Sequence, residues 1–481
     1  MLGPMTTVSF RDGARASALL YEVLSEAREA VPMPFEGLRW PASGRAFRRD
    51  YAATLYAFER RRIASPQRLE VARRVVDAAA ARMVFGEGET AVPLVTHLED
   101  EGEPLPTERV ALSGSPGLVP ETDFRGAHYE GARVGDLADV WLDQAWMTKS
   151  AHGAVRWTVA TALESGSGKA DLVGHKCVAL GAGAELAPTR AMLRAGADVL
   201  WIDARPPPQA LLDDRRVAGS LTHVPGGSDL LTQPREIAAT IRAFADGDPV
   251  HVGMYAYAGG AAKEWRLTAS MNAIVRSLPD ALVRSVVLLI SPTTPGTVSP
   301  EDAAAAARRG AMALRRPLGL GRGQASRGQS GELPYRVSHS ISELQGVSYQ
   351  AAQYIGKMLM AEALIADGRR VSAPVAPITR TASLQHPLFD VAFEGAGLFG
   401  ILVSEPQATR VLCALLAFHD LLNPEAPSAE GDVAGVLGEQ IHGGVYAQPH
   451  ELGRSITAAA AIGALRKPGL LGPAIRFALK R

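Results

Sequence analysis

At 481 residues the chain is long enough for two or three domains, and 50 Lys and Arg against 50 Asp and Glu leave no net charge to draw it to nucleic acid or an anionic membrane. Its two cysteines, Cys177 and Cys413, stand far apart, which excludes a disulfide framework and a cysteine zinc site and sets the expectation of a reducing cytosol. A secretory signal is not expected, because Arg11, Arg15, Glu22, Glu26 and Arg28 interrupt the first segment, and no apolar stretch approaches the roughly 20 residues of a spanning helix.

Residues 14 to 84 carry helical periodicity, as in Ala16, Leu19, Leu20, Val23 and Leu24, with a second stretch from Tyr51 to Met83. Between about Glu87 and Gly135 the chain is rich in Gly, Pro and Thr, the texture of irregular structure or short strands, and helix resumes from Asp136 to Leu163. Ser165 to Lys169, Ser-Gly-Ser-Gly-Lys, reads as a flexible junction; a phosphate loop is incomplete there because Ala170 follows the lysine.

Next comes a seat for a dinucleotide. Val178 to Leu180 suit a strand buried on both faces, and Gly181 and Gly183 let the backbone turn and approach a ligand that a Cβ would block. An amphipathic helix and a second strand follow, closed by Asp203, which suits an adenosine ribose; the helix amides would face a pyrophosphate. Leu186 stands where a third glycine belongs, Pro188 falls in the expected first helical turn, and an ordinary strand-turn-helix of an α/β core satisfies the same residues.

From Val178 onward strands alternate with helices, the sign of a parallel sheet covered on both faces, with strands expected at 177–181, 198–203, 220–225, 249–256, 284–291 and 370–376. An interruption from about 292 to 344 contains the glycine-rich loop Gly319 to Gly331, whose length and position favour a lid over a plain linker.

In this order the elements resemble the short-chain dehydrogenase/reductase superfamily over roughly residues 174 to 425. Gly181-Ala182-Gly183 is similar to its glycine-rich turn, and Asp203 implies NAD over NADP, a preference that Arg205 blurs by offering a cation to a 2′-phosphate. Asp229 lies where the family sets an aspartate beside the adenine, and Ala256-Tyr257-Ala258-Gly259 resembles its Asn-Asn-Ala-Gly, with Tyr257 in place of an asparagine. Asn272 resembles the asparagine that holds a proton-relay water, and Ser291 the hydroxyl that orients the substrate carbonyl. Arg370 to Thr381 is similar to the sixth strand and the loop that closes over nicotinamide, which puts Thr379 and Thr381 near the cofactor.

The expected Tyr-x-x-x-Lys is altered. Tyr349 fits as the acid, with Gln353 in place of the lysine and Lys357 one turn beyond. A phenol that titrates near pH 10 needs a neighbouring cation to work near neutrality, which glutamine cannot supply and Lys357 can on its flexible stem. Counting back from Val371 without a gap gives Gly346 and Gln350 instead, so the Tyr349 register is preferred.

Each of these residues has a structural reading as well. Tyr349 and Tyr354 suit a core or interface, Ser291 a strand end, and Asn272 a local backbone bond. His419-Asp420, His442 and His450 show no metal-ligand spacing and read as structural. Trp141, Trp146, Trp157 and Lys149 read as core before cleft, and the tail from Leu465, broken by Pro468 and Pro473, as packed or frayed.

The expectation is an α/β protein with a doubly wound parallel Rossmann-type sheet (169–425), a mainly helical N-terminal region (1–168) and a short C-terminal extension (426–481). The function implied is cytoplasmic NAD- or NADP-dependent oxidation or reduction of a small carbonyl or alcohol, with a homo-oligomer allowed and no nucleic-acid partner or membrane span. The alternative is a catalytically degenerate nucleotide-binding or scaffold protein.

Overall fold

The computed structural model describes residues 6–164, 171–310, 336–382 and 387–470, together with 472. The Ser165 to Lys169 junction, the Gly319 to Gly331 loop and the tail from 471, apart from 472, lie outside the described residues.

The N-terminal periodicity becomes three helices, α1 (Ala16–Ala30), α2 (Gly44–Ile63) and α3 (Arg68–Ala80). α1 buries Leu19, Leu20, Val23, Leu24 and Ala27, a single stripe at three- and four-residue spacing. α2 opens with Ser43, whose hydroxyl accepts the Ala46 amide at 3.3 Å and satisfies one of the unpaired donors of a helix start. The stretch expected as one helix from Asp136 to Leu163 is two, α4 (Arg133–Asp143) and α5 (Lys149–Glu164). Between them Ala145 turns at φ 51°.

The sheet has seven strands: β1 (Glu108–Ala111), β2 (Lys176–Leu180), β3 (Asp198–Ile202), β4 (Ser220–His223), β5 (Val250–Met254), β6 (Val283–Leu288) and β7 (Val371–Ser372). Their spatial order is β7-β6-β5-β2-β3-β4-β1. The six expected strands are all present and mutually parallel, with Val178 opposite both Leu200 and Val252. β1 is the exception, an antiparallel edge supplied by the N-terminal region, with Arg109 opposite Thr222. β7 is shorter than its apolar run because Pro374 and Pro377 have no amide to donate; beyond it only a bridge joins Ile290 to Val375.

Alternation along the strands sends Val178 and Leu180 to one face and Cys177 and Ala179 to the other. After β2 comes α6 (Thr189–Arg194), and after β5 comes α7 (Lys263–Ser277). One continuous helical segment then precedes β7: α8 (Gly346–Gln353), a π-helical turn (Tyr354–Leu359) and α9 (Met360–Ala366). α10 (Pro406–Leu422) follows β7, and its Ala417 and Phe418 pack with α6 on the Cys177 face. No described helix is long and apolar enough to cross a membrane.

A buried ion cluster ties the N-terminal helices to the sheet layer. The Arg62 guanidinium donates two bonds to Glu59, at 2.7 and 2.8 Å, and two to Glu362, at 2.7 and 2.8 Å. Tyr354 donates its hydroxyl to Glu59 at 2.5 Å, and Arg68 reaches Glu362 at 3.2 Å. Arg62 and Glu59 are 0% exposed, so bidentate pairing is what makes their burial tolerable.

Candidate functional site

The chain runs outward from β2 to β3 and β4, then returns to lay β5 against the other side of β2. Such a reversal opens a crevice beyond the carboxyl ends of the strands. A cavity of about 360 Å3 lies there, lined by residues that follow β2, β5, β6 and β7 and by the Gly346–Ala366 segment. Its polar lining includes Ser291, Tyr349, Lys357, Thr379 and Thr381.

Ser291 follows β6, and its amide donates to Gln353 Oε1 at 2.9 Å. Gln350 Nε2 donates to the Thr293 carbonyl at 2.9 Å, so both glutamines on this face pin the strand-end loop. Gln353, the residue in the lysine's place, is thereby committed to backbone. The Ser291 and Thr293 hydroxyls are 2.9 Å apart, and Thr293 donates to Gln345 Oε1 at 2.6 Å.

The Tyr349 phenol stands beside Ser291, Thr293 and Gln345 in the wall of the same cavity. Burial pushes its phenol above the ordinary value; those polar neighbours pull the other way, and the nearby Glu264 carboxylate adds to the rise. The resting group is a protonated acid.

Lys357 reaches the same cavity because of the π turn. Eight residues at about 100° each leave two side chains some 80° apart on an α-helix, whereas absorbing one residue in a wider turn restores the alignment of a seven-residue spacing. Its ammonium donates to the Leu289 carbonyl at 2.7 Å and is only 6% exposed. Burial alone lowers its pKa to about 8. No salt bridge to Lys357 occurs among the described residues.

Asn272 lies behind this helix, outside the cavity. Its Nδ2 donates to the Gly356 carbonyl at 3.0 Å, and its Oδ1 is buried without a partner. It faces a different cavity, of about 720 Å3, between α7 and the N-terminal helices. It therefore touches the backbone that carries Lys357, from the far side.

At the end of β2, Gly181 has φ +86°, and a Cβ there would sit 2.3 Å from the Ala256 nitrogen, so the β2 and β5 ends can meet only at glycine. The Gly183 amide donates to Asp203 Oδ2 at 3.0 Å, and the Arg205 amide to Oδ1 at 3.2 Å. The expected helix start is corrected: α6 begins at Thr189, with Pro188 at its N-cap, and spans six residues. Residues before a proline avoid helical backbone, so the amides after Gly183 belong to turns instead of a helix end. Asp229 closes its own turn by accepting the Leu231 amide at 2.8 Å. Gly181, Gly183, Asp203, Arg205, Asp229 and the exposed Gly259, all expected at the cofactor, do not line the cavity.

Thr379 donates to the Pro377 carbonyl at 2.9 Å, and the Thr381 amide to the Thr379 carbonyl at 2.8 Å, a tight turn over the crevice. Thr293, Gln345 and Glu185, absent from the sequence reading, also line the cavity. Thr293 had a signal, a second hydroxyl two residues after Ser291; Gln345 and Glu185 had none. Trp141 and Trp146 are buried in a cluster between α4, α5 and α10, away from the cavity. His442 is fully buried against Asp302 at 2.9 Å. His419 and Asp420 meet Glu439, a grouping with metal-ligand atoms that spacing alone concealed. No protein-family model and no curated protein matches the chain.

Proposed function

We propose that the chain is an NAD- or NADP-dependent oxidoreductase of short-chain dehydrogenase/reductase type, acting on a carbonyl or alcohol. The observation that carries this reading is the meeting of Tyr349, Ser291 and Lys357 in one cavity at the carboxyl edge of the sheet. Numbered from β2, the parallel strands run 3-2-1-4-5-6, the order of Rossmann-type nucleotide folds.

The residues fit a nicotinamide nucleotide best at its nicotinamide end. Lys357 is a buried cation with a single backbone acceptor among the described residues, and ribose hydroxyls would complete its hydrogen bonding. Asp203 keeps lone pairs beyond those its two amides occupy, whereas the space beside Gly181 is taken by Ala256. When bound, the coenzyme would supply or accept the hydride.

For reduction, Ser291 orients the carbonyl and Tyr349 gives its proton to the oxygen as the carbon gains the hydride, leaving an alcohol and a phenolate. Lys357 stabilises that phenolate, and the reverse sequence serves oxidation. Beyond the hydroxyls the cavity is walled by Phe389, Phe393, Ile401, Val403 and Ile456, which suits a substrate with a hydrocarbon or aromatic body.

The test is titration with NADH and NADPH, read by nicotinamide fluorescence and thermal shift. Enhanced fluorescence and a raised melting temperature with one of the two are expected. Binding to neither ends the oxidoreductase reading, and binding without turnover on a broad carbonyl and alcohol panel replaces it with a nucleotide-binding module, the role that Gln353 in the lysine's place would leave.

A further inference from the structure

Away from the crevice, α10 carries His419 and Asp420 near its end, and the chain after the helix Val433–Gly438 brings Glu439 beside them. One ligand-capable atom of each residue lies within 4.8 Å of the others. His419 Nδ1 is 3.5 Å from Asp420 Oδ1 and 3.7 Å from Glu439 Oε1. The three residues are 7%, 4% and 4% exposed, and neither His419 Nδ1 nor Asp420 Oδ1 has a hydrogen-bond partner. Glu439 and Asp420 can share a proton, but a buried His419 Nδ1 without a partner, set between two carboxylates, calls for a ligand.

The two separations from His419 Nδ1 are long for hydrogen bonds and lie close to the edge of a coordination tetrahedron. Bonds of about 2.0–2.2 Å to nitrogen and oxygen set two ligands roughly 3.3–3.6 Å apart. We propose that His419, Asp420 and Glu439 bind one first-row divalent cation of the Zn2+ type. An imidazole with two carboxylates suits such an ion, whereas Mg2+ and Ca2+ take oxygen ligands.

Charge and surroundings agree. A divalent ion bound here would neutralise both carboxylates in the interior. Ser372 on β7 donates to the second oxygen of Asp420 at 2.5 Å, and the Trp157 ring stands edge-on to His419 with centroids 5.3 Å apart. Asn423 faces His419 Nε2 at 2.9 Å. Ligation through Nδ1 requires a proton on Nε2, which Asn423 accepts once its amide turns its oxygen inward, releasing the Glu425 amide that this oxygen now holds at 3.0 Å. The ion would tie α10, β7 and the segment before Glu439 together, and it uses no residue of the crevice.

The full chain is equilibrated with Zn2+ at neutral pH, desalted and assayed by elemental mass spectrometry and thermal melting. About one equivalent retained and a raised melting temperature are expected in the wild type, falling to roughly a tenth of an equivalent or less in Glu439→Gln, whose amide copies the shape of the protonated acid. Occupancy equal in both proteins, or near zero in the wild type with both Zn2+ and Mn2+, overturns the proposal. Should Glu439→Gln fail to fold by circular dichroism, Asn423→Asp decides: its carboxylate accepts from both Nε2 and the Glu425 amide. About tenfold tighter Zn2+ binding supports the site, and unchanged or weaker binding refutes it.

Discussion

The two faces of the Gly346–Ala366 segment carry similar chemistry to opposite ends. Toward the N-terminal helices, Tyr354 and Glu362 enter a cluster in which Arg62 serves two carboxylates and Arg68 adds a third arm. Arg62 lifts its partner out of reach of protonation: burial pushes Glu362 up, and the guanidinium more than reverses it, holding its carboxyl below the ordinary range. Toward the crevice, Tyr349 meets neutral hydroxyls and an amide, and among the described residues Lys357 has only a carbonyl. A buried charge with matched partners fixes how elements pack. A buried charge without them weakens the fold, and its retention points to a ligand or a reaction.

Removing each side in turn tests that contrast. Arg62→Met should have the largest effect, because it strands Glu59 in the interior and leaves Glu362 only the longer contact with Arg68; a loss of about 3–5 kcal/mol in urea unfolding is expected. A loss under about 1 kcal/mol would show that the cluster is not what holds the N-terminal helices.

Lys357→Met should act in the other direction. With a folded pKa of about 8 against the ordinary 10.5, the folded chain binds fewer protons than the unfolded chain between these values, so stability rises with pH across that window. Below pH 8 the buried charge costs on the order of 3 kcal/mol, which the methionine variant recovers while losing the rise. Stability profiles of equal slope in the two proteins would contradict an unpaired buried ammonium.

Tyr349→Phe should change stability least, by about 1 kcal/mol, since it deletes one hydroxyl and leaves the ring. Turnover should nonetheless fall about a hundredfold or more, with nucleotide fluorescence retained. An unchanged rate removes Tyr349 from the chemistry.

How far the molecule was legible follows from what each feature depends on. Val178 to Leu180 and Val286 to Leu288 announced their strands because a strand covered on both faces must be apolar throughout. β1 gave no such signal: its Glu108, Arg109 and Ala111 are exposed, and it is a strand only because β4 offers an unpaired edge. Tyr349 and Lys357 were legible as types with an awkward spacing; the π turn that aligns them depends on what packs around the helix. Glu59, Arg62 and Glu362 were ordinary surface charges on paper, and only folding across 300 residues makes them one cluster. Glu439 likewise gains meaning only beside His419 and Asp420.

By itself, then, the sequence determined the parallel strands, the glycine at the β2 turn and the helical character of the N-terminal region, because apolar period and backbone sterics act within a few residues. Tertiary structure alone decided which charges are paired, which face Lys357 presents, that α6 is short, and that Asn272 stands behind the crevice. Those outcomes rest on burial and on partners distant in the chain, and the energy of a charge is set by its surroundings more than by its neighbours in sequence.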